Sequence, residues 1–188
     1  MRFKNFCEMA NTRRLVIYDF DGTLFRSPDK EQGSRSYKAA MNFDWPHQGW
    51  WGRLESLTPP VVPARPDASW FIQPVLEAQR RDVASGDATV VLMTGRPYKL
   101  KQRVLEILRA EGLNFDDHFF HDSPGNEGDT TLDAKVNRIG RLLGPSVQRL
   151  EIWEDRDGQI EGFNRFKSEM AKKRPDMEFV IHDAKQHR

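Results

Sequence analysis

Residues 15–25 read Leu-Val-Ile-Tyr-Asp-Phe-Asp-Gly-Thr-Leu-Phe, and this stretch decides the fold. Its four apolar residues, Leu15–Tyr18, predict a buried strand, and two carboxylates follow at Asp19 and Asp21. Ligands of open α/β sheets bind in the crevice at the carboxyl ends of the strands, where both carboxylates would lie. Gly22 permits the tight turn that this arrangement needs. An ordinary Asp-Gly turn is the alternative interpretation, and the strand that precedes the two carboxylates makes it much less favoured.

Strand and helix patterns alternate along the rest of the chain. Short apolar runs predict further strands at Thr89–Met93, Leu150–Trp153 and Glu178–Ile181, with a weaker one near Phe115–Phe120. Apolar spacing and helix-end signals predict helices over Phe71–Ala84 and over residues 100–108, 132–143 and 163–170. This alternation favours an α/β fold with a Rossmann-like, mostly parallel central sheet and helices on both faces.

Length and charge limit the class of protein. The 188 residues fit about one domain. We expect a single domain over 1–188, with an N-terminal extension at 1–14 and a small insert at about 26–70. The insert holds four of the five tryptophans and is rich in proline, so we expect it to be ordered, irregular and cap-like. A net charge of +1 argues against a protein that coats DNA non-specifically.

The sequence also indicates a compartment. Cys7 is the single cysteine, so it forms no internal disulfide and no cysteine-based zinc site. No apolar run approaches the roughly 20 residues that a membrane span needs. The first nine residues include Glu8 and no continuous apolar stretch, which is unlike a signal peptide. We therefore expect a cytoplasmic protein with no membrane partner.

Polar residues also follow the second strand. Thr94, Gly95 and Arg96 come directly after the apolar run that ends at Met93. A hydroxyl and free backbone N–H groups at this point are suitable donors to phosphoryl oxygens. Arg96 fits two interpretations, a contact to phosphate and a salt bridge within the protein.

Two further clusters complete the pattern. Lys135 lies in the first turn of a helix that Thr130 or Thr131 can cap, where the helix dipole disfavours a cation. This position favours a functional role, although a solvated lysine remains the alternative. Glu154 and Asp155 follow the next strand, as oxygen ligands of a hard cation such as Mg²⁺ would.

These four clusters resemble, in order, the four motifs of the haloacid dehalogenase-like (HAD) phosphohydrolases. The resemblance implies a HAD fold and hydrolysis through an aspartyl-phosphate, with Asp19 as nucleophile and Asp21 as general acid/base. It implies that Thr94, Gly95 and Lys135 bind the phosphoryl group. It also implies Mg²⁺ as cofactor, held by Asp19, Asp21, Glu154 and Asp155. Of the last two residues, we favour Asp155 as the closer ligand.

Several segments further resemble the Swiss-army-knife RNA-repair-like branch of that family. They are the Leu-Phe-Arg-Ser-Pro run at 24–28, the Trp-Trp pair at 50–51, the Thr-Leu-Asp-Ala-Lys run at 131–135 and the Trp-Glu-Asp-Arg run at 153–156. The resemblance spans about Leu15 to Phe163. It departs from the branch pattern at Gln159, where a histidine is expected. The branch implies a phosphatase-type domain associated with nucleic-acid end repair.

The leading hypothesis is therefore hydrolysis of a phosphate monoester at an RNA or DNA end. The insert tryptophans, above all Trp50 and Trp51, can stack bases, and Arg96 can contact substrate; packing of the insert against the main domain is the alternative. A small nucleotide or metabolite phosphate is the alternative substrate, and transfer to another acceptor is the alternative reaction. A catalytically silent module that binds nucleic acid or protein is the alternative of another class.

Overall fold

A five-stranded sheet forms the centre of the protein. The structure, a computed structural model, describes residues 12–123 and 130–188. The strands of these residues are β1 (Arg14–Tyr18), β2 (Ala88–Met93), β3 (Asp117–Phe119), β4 (Arg149–Glu154) and β5 (Glu178–Asp183). Their order in the sheet is β3-β2-β1-β4-β5, and every neighbouring pair is parallel. The predicted α/β class is confirmed, and the sheet is wholly parallel rather than mostly so.

Within the described residues, five α-helices connect and cover the strands. They are α1 (Lys30–Met41), α2 (Gln73–Ser85), α3 (Lys101–Ala110), α4 (Thr131–Leu142) and α5 (Asp157–Lys173). The four predicted helices correspond to α2 to α5, and their ends follow the expected signals. Pro74 lies in the first turn of α2, and Gly86 caps its C-terminus with a φ of 75°.

Two hydrophobic cores lie on opposite faces of the sheet. Val16 and Tyr18 of β1 face one core, which α2, α3 and the insert cover. Leu15 and Ile17 face the other core, which α4 and α5 cover. The alternation of β1 side chains between two buried faces explains why this strand reads as a continuous apolar run. The helices lie on both faces, as predicted.

The insert is ordered but begins with a helix that its sequence did not reveal. Asp29 caps α1, since its side chain accepts a hydrogen bond of 2.8 Å from the backbone N–H of Gln32. Only Gly33 and Tyr37 of α1 are buried, so the helix has no apolar stripe that spacing can detect. Beyond α1 the insert consists of loops and short 3₁₀ turns, at Leu54–Leu57 and Ala68–Trp70.

Some expectations concern residues that the structure does not describe. Residues 1–11 of the predicted N-terminal extension, including Cys7, lie outside the described residues, and β1 already begins at Arg14. The division into one domain with an extension and an insert stays a prediction. Among the described helices, none combines the length and the apolar character needed to cross a bilayer.

Candidate active site

The chain turns sharply where β1 ends. The backbone N–H of Asp19 donates to the carbonyl of Trp153 on β4, at 3.1 Å, so the first carboxylate still lies within the sheet edge. Gly22 has a φ of 70°, and a Cβ at this position would lie 2.1 Å from Oδ2 of Asp155. The turn therefore requires glycine, both for its positive φ and because its backbone lies close to Asp155, which follows β4.

Lys135 joins the ends of β1 and β4. Its Nζ lies 2.8 Å from Oδ1 of Asp19 and 2.8 Å from Oε2 of Glu154, and all three side chains are buried. Thr130 is the residue that caps α4, because its Oγ1 accepts from the backbone N–H of Asp133 at 3.2 Å. Lys135 is the fifth residue of α4, close to the N-terminal end where a cation is unfavourable, and two carboxylates at hydrogen-bond distance offset that cost.

The pKa values at this cluster reflect burial and charge. Burial raises the pKa of Asp19 to about 8, with Glu154 and Asp21 adding to the rise and Lys135 opposing it. Burial lowers the pKa of Lys135, but Asp19 and Glu154 outweigh burial and raise it above the ordinary value. Burial and Glu154 raise the pKa of Asp155 to about 6, against the opposing charge of Arg188. Burial is the main cause of both raised carboxyl pKa values, so these acids favour either protonation or the approach of a further cation.

Three carboxylates form a candidate metal site. One oxygen each of Asp19, Glu154 and Asp155 lies within 4.8 Å of the others. Glu154 is already engaged, because Oε2 accepts from Lys135 and Oε1 accepts from the backbone N–H groups of Asp155 and Arg156. Oδ1 of Asp155 is buried and has no hydrogen-bond partner among the described residues. An orphaned oxygen beside two further carboxylates fits a hard cation such as Mg²⁺.

The Asp21 carboxylate does not belong to this cluster. It faces Arg96, whose Nε lies 2.9 Å from Oδ2 and whose Nη2 lies 2.7 Å from Oδ1. Nη1 of Arg96 donates to Oγ of Ser56 at 2.7 Å and to the carbonyl of Trp51 at 3.0 Å. The side chain of Asp21, which the sequence analysis placed among the metal ligands, thus lies outside the cluster of Asp19, Glu154 and Asp155, and its role at a metal stays a prediction. Of the two interpretations of Arg96, the structure places it in a buried salt bridge that ties the insert to Asp21.

The Thr94-Gly95 segment lies at the C-terminal end of β2, beside β1. Thr94 is buried, and its Oγ1 accepts from the backbone N–H of Arg96 at 3.1 Å. A Cβ on Gly95 would lie 3.0 Å from a methyl group of Thr131, so the loop passes close to the start of α4. The segment thus meets Asp19 and Lys135 at one edge of the sheet, as the order of the strands requires.

The insert tryptophans divide into packing residues and one crevice residue. Trp50 is 3% exposed, its indole N–H donates to the carbonyl of Pro28 at 2.9 Å, and its ring lies on Gly33. This position does not fit the substrate contact expected of Trp50. Trp51 is 37% exposed and lines a crevice beside Asp21. Only the second tryptophan of the pair is thus placed to meet a ligand.

The crevice has a volume of about 380 Å³, within the usual range of small-ligand sites. It is lined by the acidic residues Asp21, Asp29 and Asp155, by the arginines Arg26, Arg156 and Arg188, and by Gly22, Ser27, Gln32 and Trp51. Sequence reasoning assigned no role to the three arginines. Arg26 and Arg156 were detectable, since each directly follows an acidic motif, whereas Arg188 lies 33 residues from its partner Asp155 and gave no local signal.

Comparison with known proteins gives a family and a fold. A family model described as HAD domain family 1 in Swiss Army Knife RNA repair proteins matches residues 30–188. A chain in the structure of the Pnkp1/Rnl/Hen1 RNA repair complex is similar, with a TM-score of 0.51, 16% identity, and coverage of 92% of this chain and 43% of that chain. A chain in a second structure of a Pnkp1/Rnl/Hen1 complex has a TM-score of 0.49 and 14% identity, with coverage of 92% of this chain and 47% of that chain. This chain therefore spans less than half the length of the solved chains that it matches.

Proposed function

The chain belongs to HAD domain family 1 of the Swiss Army Knife RNA repair proteins, and from this premise we propose that it is a Mg²⁺-dependent phosphomonoesterase that acts on nucleic-acid ends. The observation that carries the proposal is the position of Lys135, buried between Asp19 and Glu154 at 2.8 Å from each. A buried lysine held between two carboxylates is costly for the fold, and it provides positive charge where a phosphoryl group would meet Asp19.

In the proposed reaction, a carboxylate oxygen of Asp19 attacks phosphorus, and the bond from phosphorus to the ester oxygen breaks. The leaving oxygen takes a proton from Asp21. Water then attacks phosphorus of the aspartyl-phosphate and passes a proton to Asp21, which frees inorganic phosphate and restores Asp19. Lys135 and the hydroxyl of Thr94 hold the phosphoryl oxygens, together with the backbone N–H of Gly95.

Arg96 supports this proposal as a positioning residue. It is fully buried and donates hydrogen bonds to both carboxylate oxygens of Asp21, so it fixes the orientation of the proposed acid/base group. Its contacts to Ser56 and to the Trp51 carbonyl make that direction depend on the insert.

Magnesium would be held by Asp155 and Asp19, with Glu154 beside them. When bound there, Mg²⁺ supplies positive charge that offsets the repulsion between a carboxylate nucleophile and an anionic phosphate. The raised pKa of Asp19 supports this assignment, because a nearby cation favours the carboxylate form that nucleophilic attack requires.

The test is phosphate release from p-nitrophenyl phosphate and from 3′- and 5′-phosphorylated oligonucleotides, with Mg²⁺ and with EDTA. We expect Mg²⁺-dependent release that favours one oligonucleotide end. Asp19→Asn should abolish it, whereas Asp176→Asn, a matched change of an exposed aspartate, should not. Trapping of radiolabelled phosphate on the wild-type protein, and not on Asp19→Asn, should report the covalent intermediate.

Other outcomes would redirect or reject the proposal. Activity on small esters alone would indicate a metabolite or nucleotide phosphatase, and transfer of the phosphate to a sugar hydroxyl would indicate a phosphotransferase. Full turnover by Asp19→Asn would reject the mechanism. Silence of a folded wild-type protein on every substrate would favour a binding module.

A further inference from the structure

Two guanidinium groups in the crevice form no salt bridge with any carboxylate of residues 12–123 and 130–188. Arg26 and Arg156 are exposed, and neither forms an ion pair or a side-chain hydrogen bond with another described residue. Their backbones are nevertheless fixed. The N–H of Arg26 donates to the carbonyl of Trp70 at 2.7 Å, and the N–H of Arg156 donates to Oε1 of Glu154 at 3.2 Å. The two cations are therefore held at the crevice by anchored backbone and remain available to an anion.

An aromatic surface lies beside these cations. The guanidinium of Arg156 lies 5.2 Å from the centre of the Trp51 ring, and that of Arg96 lies 5.0 Å from it. Arg96 is fixed by Asp21 and Ser56, whereas Arg156 is exposed and its guanidinium contacts the Trp51 ring. The same crevice is lined by Asp21 and Asp155, so it is continuous with the candidate catalytic cluster.

We propose that Arg26, Arg156 and Trp51 form a subsite for the nucleotide next to the reacting phosphate. In this subsite the two arginines bind a second phosphate group, and the Trp51 ring stacks on the base. The inference rests on the proposed function, since it places the reacting phosphate at Asp19. The preferred occupant is the end of a single-stranded oligonucleotide, in which a phosphodiester supplies the second phosphate.

The chemistry of the crevice supports this assignment over a simple monoester. Guanidinium groups bind phosphate oxygens through paired N–H donors, and an indole ring stacks on any base without sequence preference. The three carboxylates of the lining do not oppose the anion equally. Asp21 is paired with Arg96 and Asp155 with Arg188, and Asp29 caps α1. Within the described residues, Arg26 and Arg156 thus form no salt bridge with these carboxylates, although the charge of Arg156 also acts on Asp155.

The test measures binding rather than turnover, in an Asp19→Asn background that cannot react. The labelled ligand is a trinucleotide that carries the preferred terminal phosphate, and Mg²⁺ is present. Four unlabelled probes compete with it: the same trinucleotide, a dinucleotide, a nucleoside 3′,5′-bisphosphate and a nucleoside monophosphate. Arg26→Gln, Arg156→Gln and Trp51→Leu are the test variants. Arg81→Gln is the matched control, because Arg81 is exposed on α2, away from the crevice.

We expect each test variant to weaken trinucleotide binding by about tenfold, and to weaken nucleoside monophosphate binding much less. Each arginine variant should also reduce the slope of log affinity against log salt by about 0.7, the value for one phosphate of a single strand. Equal binding of the bisphosphate and the trinucleotide would support the two-phosphate subsite and assign it to a free nucleotide.

Three results would overturn the subsite. One is trinucleotide binding by the test variants within twofold of the Arg81→Gln control. Another is an equal loss of affinity for the trinucleotide and the monophosphate, which would mean that the arginines act on the reacting phosphate. The third is a folded Asp19→Asn protein that binds none of the probes. Failure of wild-type turnover is a separate result, which bears on the proposed function alone.

Discussion

Replacing Arg96 by methionine should destabilise the protein strongly, because it leaves a buried carboxylate without its cation. The Arg96 side chain is fully buried and that of Asp21 is 8% exposed, and the closest approach of the pair is 2.7 Å. Removing one partner of a buried ion pair costs about 3–5 kcal/mol. The Trp51 carbonyl and the Ser56 hydroxyl lose a donor as well, although water in the adjoining crevice relieves part of this loss. We therefore expect Arg96→Met to lower the free energy of unfolding by about 4 kcal/mol.

The assay is urea denaturation of the metal-free protein at neutral pH, followed by tryptophan fluorescence and by circular dichroism. A double-mutant cycle with Asp21→Asn isolates the interaction of the two side chains. Since asparagine removes the charge that methionine leaves unpaired, the double variant should be more stable than the sum of the single effects by about 2 kcal/mol. Arg96→Lys, which keeps the charge but not the planar fork, should fall between wild type and Arg96→Met.

Two results would refute this reasoning. A loss below about 1 kcal/mol for Arg96→Met would mean that the pair is solvated in solution and does not act as a buried ion pair. Additive effects in the cycle would mean that Arg96 stabilises the fold through its contacts to the insert, and not through Asp21.

Three further predictions follow from the burial of particular groups. Because burial raises the pKa of Asp19 to about 8, ionising this carboxyl group opposes folding. In EDTA at a pH above 8, Asp19→Asn should therefore unfold at a higher temperature than the wild type, and this difference should disappear near pH 4. A lower unfolding temperature for the variant at pH 8 would contradict the prediction. Burial alone would raise the pKa of Glu151, but partners including His182 lower it to about 2. Glu151→Gln should therefore lower the free energy of unfolding by about 1–2 kcal/mol at neutral pH, and this loss should disappear as the pH falls from about 4.5 to 2. Urea titrations measure the loss, and one of the same size at every pH would contradict the prediction. Gly33→Ala would place a Cβ 2.0 Å from the Trp50 ring, so the insert should shift. The free energy of unfolding should fall by about 1–3 kcal/mol in urea denaturation. An unchanged midpoint would show that the ring moves freely.

The sheet was predictable from sequence because the signals that define it are local. Every strand except β3, which reads Asp-His-Phe, contains a short apolar run, and three of them end in polar residues where the carboxyl ends of the parallel strands meet. The order of the strands then brings Asp19, Thr94 and Glu154 together without further information, since β1 pairs with both β2 and β4. The positions of the candidate residues therefore follow from the topology, even though their contacts do not.

The contacts that sequence reasoning missed join residues far apart in the chain. Ser56 holds Arg96 across 40 residues, and Arg188 reaches Asp155 across 33. Such pairs leave no periodic signal in the sequence. The burial of Trp50 was not predictable for a related reason: adjacent tryptophans look equivalent in sequence, and only the packing of α1 decides which ring is covered.

The buried carboxylates of the sheet show why the acidic cluster is where a cation belongs. On β4, Glu151 is surrounded by Arg14, Arg149 and His182, and these neighbours lower its pKa to about 2. At the C-terminal end of the same strand, Glu154 shares Lys135 with Asp19, and the pKa of Asp19 is raised. Two arginines, which also pair with other acids, and a histidine ring thus contact one buried acid, whereas a single lysine lies between the other two. Buried acids that share a single lysine at the C-terminal ends of two strands, with the pKa of one of them raised, are an arrangement typical of ligand sites.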